Sequence, residues 1–108
     1  MSQESTISYS VMDPESKTLV FRIPKELRPY EHDIRRFMAA MLHKLRKNAH
    51  KGRWEHGKVR EYLVRLREEV TELDGAIDEG NMIDIILEAA DVANMAMILC
   101  SMVLDGRE

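Results

Sequence analysis

The stretch that decides the fold is LEAADVANMAMILCSMVL, residues 87–104, almost wholly apolar but broken early by Glu88 and Asp91. Ionised carboxylates are costly inside a protein because water solvates them far better than an apolar interior does. A long apolar helix carrying two acids three residues apart therefore needs a partner for those acids. Eighteen such residues exceed a typical strand, so the run reads as a helix starting near Met82 and reaching Leu104, with a break allowed within it. It is apolar around much more than half its circumference, so two other helices and a hairpin from one chain cover it poorly. The expectation is a homodimer or homotetramer in which this helix meets partner helices. Met82, Met95, Met97 and Met102 suit such an adaptable interface; an ordinary core helix is the plainer reading and is compatible with it.

Upstream, Val59, Tyr62, Leu63, Leu66, Val70, Leu73 and Ile77 recur at helical spacing, so a second helix is expected over about 58–79. Gly80 suits the position just past its end. Asn81 with Asp84 resembles a capping box opening the next helix. Ile34, Phe37, Met38, Met41, Leu42 and Leu45 mark an earlier helix from Tyr30 or Glu31 that frays near residues 48–52. Before it, Ile7, Tyr9 and Val11 alternate with polar residues, as do Leu19, Phe21 and Ile23, around the turn MDPESK at 12–17. That pattern is a β-hairpin, which on its own is marginal and must lean on helices or another subunit. Pro24 and Pro29 bracket a short irregular connection. The chain divides into a hairpin and linker, 1–29, and a helical domain, 30–108: mainly α, with a short N-terminal β-hairpin.

The whole chain has 108 residues, 44% hydrophobic and 32% charged, with a net charge of −3. That balance argues against a general electrostatic nucleic-acid binder and leaves room for a local basic patch. The lone Cys100 permits no intrachain disulfide, and MSQESTISYS shows neither a basic nor an apolar leader region. A cytoplasmic setting is expected. Residues 85–104 are long enough to span a bilayer, but Glu88, Asp91 and Asn94 in the first half make a span costly. No membrane association is expected.

On helix two, Glu69 and Glu72 are three apart, as are Glu88 and Asp91 on helix three. Residues three apart share a helix face. If helices two and three form an antiparallel hairpin through Gly80, four carboxylates converge. Such a cluster must protonate in part or hold a cation. Helix three has no Lys or Arg before Arg107, so it does not supply that cation itself. Oxygen-only ligands favour Mg²⁺, Mn²⁺ or Ca²⁺ over zinc, and His32, His43, His50 and His56 all lie outside the acidic motifs. Alone, REEVTEL is most often a solvated helix face; Glu88 and Asp91 on an apolar helix are what lift the reading towards a site.

EEVTE at 68–72, fifteen intervening residues, then EAAD at 88–91 resembles the EExxE…ExxD signature of the MazG-like, all-α nucleoside triphosphate pyrophosphohydrolases. KLRKNAHKGRW at 44–54 is similar to the region preceding that signature in small, often phage-encoded members. The likeness spans residues 34–103. It implies a helical bundle assembled as dimers or tetramers that cleaves a ribo- or deoxynucleoside triphosphate to the monophosphate and pyrophosphate with Mg²⁺, or Mn²⁺ in its place. Carried over, Glu69, Glu72, Glu88 and Asp91 would be metal ligands. Glu68 would be an auxiliary carboxylate, binding a further metal or positioning water, so Glu68 and Glu69 are the candidate catalytic acids. The general base is not assigned by the resemblance.

Lys44, Arg46, Lys47, Lys51 and Arg53 fall within ten residues free of acids. Their functional reading is phosphate contact, with Lys47 and Lys51 best placed near the helix end. Trp54 could stack on a base, and Asn48 and Asn94 could hydrogen-bond substrate or water. The plainer reading is a solvated basic face, a core tryptophan and an interface asparagine. The competing function is a non-enzymatic helical oligomer that binds nucleic acid through 44–53, which leaves Glu88 and Asp91 unexplained; no stable nucleic-acid partner is expected. A di-iron bundle would need Glu-x-x-His motifs, which this sequence lacks.

Overall fold

A computed structural model describes residues 5–10, 18–49 and 57–108 of the chain. Lys51, Trp54, Arg53, His50, His56 and the 12–17 turn lie outside the described residues. In order, the elements are strands β1 (Ser5–Ser10) and β2 (Thr18–Ile23), a 3₁₀ helix η1 (Lys25–Tyr30), and helices α1 (Glu31–Lys47), α2 (Val59–Glu79) and α3 (Met82–Leu104). The protein is mainly helical.

The two strands pair antiparallel, with Ser5 opposite Ile23, Ile7 opposite Phe21 and Tyr9 opposite Leu19. The connection after β2 is not irregular: residues 25–30 wind into η1, which has Pro29 inside it. Proline removes one N–H donor and fixes φ near the helical value, which a short 3₁₀ turn tolerates. Both η1 and β1 lie against α1.

The αα-hairpin forms because its turn has the right residues. Gly80 ends α2 with φ +72°, and its N–H donates to the carbonyls of Ala76 and Ile77. That left-handed conformation costs a Cβ-bearing residue and not glycine. Asn81 then caps α3, its side-chain oxygen accepting the Asp84 N–H at 3.1 Å. α3 runs unbroken for 23 residues, with no break of the kind the sequence allows.

α3 is the central element, with α2 packed along it and α1 lying against it as well. The core is small. Among the described residues the buried ones are Ile23, Ala76, Ala90, Asn94, Ile98 and Met102. Four of the six are on α3, spaced four apart from Ala90 through Asn94 and Ile98 to Met102. One narrow stripe of α3 is thus covered within the chain. Met82, Ile83, Ile86, Val103 and Leu104 remain exposed, as does Cys100. By length and composition α3 could also cross a membrane.

Candidate metal centre

The antiparallel turn at Gly80 brings the middle of α2 beside the first half of α3. Carboxylate oxygens of Glu69, Glu88 and Asp91 come within 4.8 Å of one another, each side chain half-buried. Glu69 comes from α2 and the other two from successive turns of α3, so both acidic motifs contribute. Glu72 stands beside them, exposed, and its negative charge acts on both Glu69 and Glu88. Glu68 is exposed on α2.

Burial pushes the Glu69 carboxyl up to about 7, and the negative charges of Asp91, Glu72 and Glu88 push the same way. Glu88 is raised for the same first reason, burial, followed by Glu72 and Asp91, while Lys44 pulls it back down. Glu69 Oε2 and Glu88 Oε2 are buried and accept no hydrogen bond among the described residues. Buried carboxylate oxygens without donors are rare in folded proteins, because each loses its hydration and gains nothing in return.

Part of the counter-charge comes from α1, a source the sequence argument did not pair with these acids. Lys44 Nζ lies 3.1 Å from Asp91 Oδ2, with the two side chains only 14% and 16% exposed. The sequence sets Lys44 among the cations suited to phosphate contact; the structure turns it to Asp91 instead. On the helical wheel Lys44 lies at the edge of the apolar stripe of α1, and that spacing does not say which acid it meets.

The remaining basic and amide residues divide. Lys47 is exposed in the last turn of α1. Asn48 closes that helix: its backbone N–H and its Nδ2 both donate to the Lys44 carbonyl, each at 3.1 Å. Asn94 is buried between helices, and its Nδ2 donates to the Met41 carbonyl at 3.0 Å. Asn94 Oδ1 has no partner among the described residues. Asn48 and Asn94 therefore both make hydrogen bonds within the chain; for Asn94 the partner is α1 and not the subunit interface that the plainer reading of the sequence offers. His43 is exposed and is not one of the converging residues.

The donor set fits a hard divalent cation. It is all oxygen, spans two rigid helices, and includes buried oxygens that lack donors. No family model, curated protein or solved structure matches the chain.

Proposed function

We propose that the protein is a Mg²⁺-dependent nucleoside triphosphate pyrophosphohydrolase of the MazG-like type, active as a homo-oligomer. The observation that carries this reading is the convergence of Glu69, Glu88 and Asp91 oxygens within 4.8 Å. The EExxE and ExxD motifs supply those residues, at the spacing that the resemblance rests on. Glu69, Glu88 and Asp91 would hold the ion, and Glu72 would join from the rim. When bound, the divalent cation supplies neutralisation of phosphate charge and activation of water.

The chain's own residues do the rest. Helices α2 and α3 fix the carboxylates before substrate arrives, which lowers the reorganisation cost of binding. Glu68, exposed one residue before Glu69, is the acid left to orient the attacking water. Lys47, exposed in the last turn of α1, would contact phosphate, with Lys51 and Trp54 assigned phosphate and base contact from the sequence. Attack at the α-phosphorus needs no covalent nucleophile, and the sequence offers no GxSxG motif.

A panel of ribo- and deoxynucleoside triphosphates with Mg²⁺, assayed for monophosphate and pyrophosphate, tests the reading. Release of both from at least one triphosphate, lost on chelation, is the expected result. Orthophosphate release or no turnover across the panel would overturn it.

A second reading is carried by Lys44. Its ion pair with Asp91 and a protonated Glu69 could balance the cluster without any metal, making it a structural ion-pair site in a helical scaffold. Calorimetric titration with Mg²⁺ or Mn²⁺ separates the two: a structural site takes up no ion.

A further inference from the structure

Lys44 is delivered to Asp91 by the packing of α1 on α3, not by a chance side-chain rotamer. Asn94 Nδ2 donates to the Met41 carbonyl at 3.0 Å. Asp91 lies three residues before Asn94, and Lys44 three residues after Met41. The two links run antiparallel along the helix pair, one turn apart, so the first fixes the register that makes the second. Asn48 holds the last turn of α1 by donating twice to the Lys44 carbonyl. A lysine side chain only 14% exposed, its Nζ 3.1 Å from an aspartate side chain 16% exposed, sits where long charged side chains seldom do.

The pair leaves the site half balanced. Among the described residues the ion pair brings one lysine to three converging carboxylates, and Glu69 Oε2 and Glu88 Oε2 have no donor. Lysine offers three N–H donors on a compact group, whereas a divalent ion can bind oxygens from all three acids together. Both cations need the Asp91 carboxylate, and their like charges keep them apart. Lysine also has the means to leave, since its flexible four-carbon stem can move the ammonium group without moving α1.

We infer that Lys44 is a tethered counter-ion that holds the place of the divalent cation at Asp91 and is displaced when that cation binds. This rests on the metal reading above and deepens it. The lysine keeps the ion-free cluster folded, and its displacement sets the affinity for the ion. The released ammonium is left beside the site, where a polyphosphate would become its new partner.

The test is titration of the purified full-length chain with Mn²⁺, followed by calorimetry and by the loss of the free-ion paramagnetic signal. Parent, Lys44→Gln and Lys44→Met are compared, with Lys25→Met as a control that removes a charge from η1. Circular dichroism first establishes that each variant is folded, and Lys44→Gln keeps a hydrogen-bonding group for Asp91 should the methionine variant misfold. The expected result is Mn²⁺ binding tightened by roughly tenfold or more in the Lys44 variants and unchanged in the control. Their metal-free melting temperatures should fall, while their Mn²⁺-saturated melting temperatures match the parent's, because displacement leaves Lys44 with no ion pair to lose. A parent that binds Mn²⁺ together with Lys44 variants that bind equally or more weakly would overturn the inference and leave the metal reading standing. Equal tightening by the Lys25 control would also overturn it, since net charge alone would then explain the effect. A parent and variants that all fail to bind would remove both.

Discussion

Glu69 is the residue on which the chemistry of the cluster turns. Its carboxyl is raised to about 7 by burial first and by Asp91, Glu72 and Glu88 after that. In the unfolded chain it titrates near its ordinary value of 4.5. Between those values the native state binds more protons than the unfolded one, so metal-free stability must fall as pH rises through that window. Glu88, also raised, adds to the same slope. Thermal melts in chelator from pH 5 to 8 should therefore show the melting temperature falling with pH, and Glu69→Gln should flatten the curve. A parent curve that rises or stays level would contradict this account. On the proposed function the same substitution removes a metal ligand, so it should reduce turnover at least about a hundredfold and abolish the melting-temperature gain from Mg²⁺.

Asp91 behaves differently, and the structure reverses what charge counting suggests. Among four acids alone, Asp91→Asn would relieve repulsion and stabilise the ion-free protein. With Lys44 at 3.1 Å, the same change strips a largely covered ammonium group of its partner. The expected cost is about 1–2 kcal/mol, between an exposed pair and a fully buried one. Chemical denaturation of the metal-free variant measures it, and a more stable Asp91→Asn protein would show that repulsion dominates.

At the scale of elements, the αα-hairpin is the part of the site most plainly encoded. Gly80 and Asn81 set the turn, and the turn sets which oxygens of α2 and α3 face each other. Gly80→Ala forces a Cβ into the φ +72° conformation, at a cost of about 1 kcal/mol. Because α2 and α3 also pack along their length, the variant should lose melting temperature yet keep its Mg²⁺ response. Asn94 has the larger effect. Its replacement by Ala removes the Met41 hydrogen bond and opens a gap at a site only 5% exposed. A loss of about 1–3 kcal/mol is expected. Since that bond sets the register of α1 on α3, the Lys44 pairing should loosen with it. An Asn94→Ala protein with parental stability would show that α1 is held chiefly by its apolar contacts.

At the scale of the whole molecule, α3 leaves large apolar side chains uncovered. Met82 and Ile83 are 73% and 68% exposed, and Leu104 is 79% exposed. Apolar side chains left uncovered in one run of helix are what a subunit interface covers. These observations support the proposed homo-oligomer. Light scattering at micromolar concentration should give a dimer or tetramer, and Ile83→Glu with Ile86→Glu should shift it towards monomer. A cooperative monomer of 12.5 kDa would refute the proposal.

The sequence by itself determined the three helices nearly to the residue, because apolar spacing, Gly80 and Asn81 are local signals that act within a turn or two of the chain. It also placed Glu69, Glu72, Glu88 and Asp91 where an antiparallel hairpin would let them converge; of these four the structure brings together Glu69, Glu88 and Asp91, with Glu72 exposed beside them. The structure decided what depends on a helix distant in the chain. Lys44 and Asn94 find their partners 47 and 53 residues away, and nothing in the local pattern of α1 says which face of α3 it will meet. That choice comes from how side chains on both helices fit and from one buried amide seeking a carbonyl. So the acids were legible as a cluster, while the lysine that balances one of them was not.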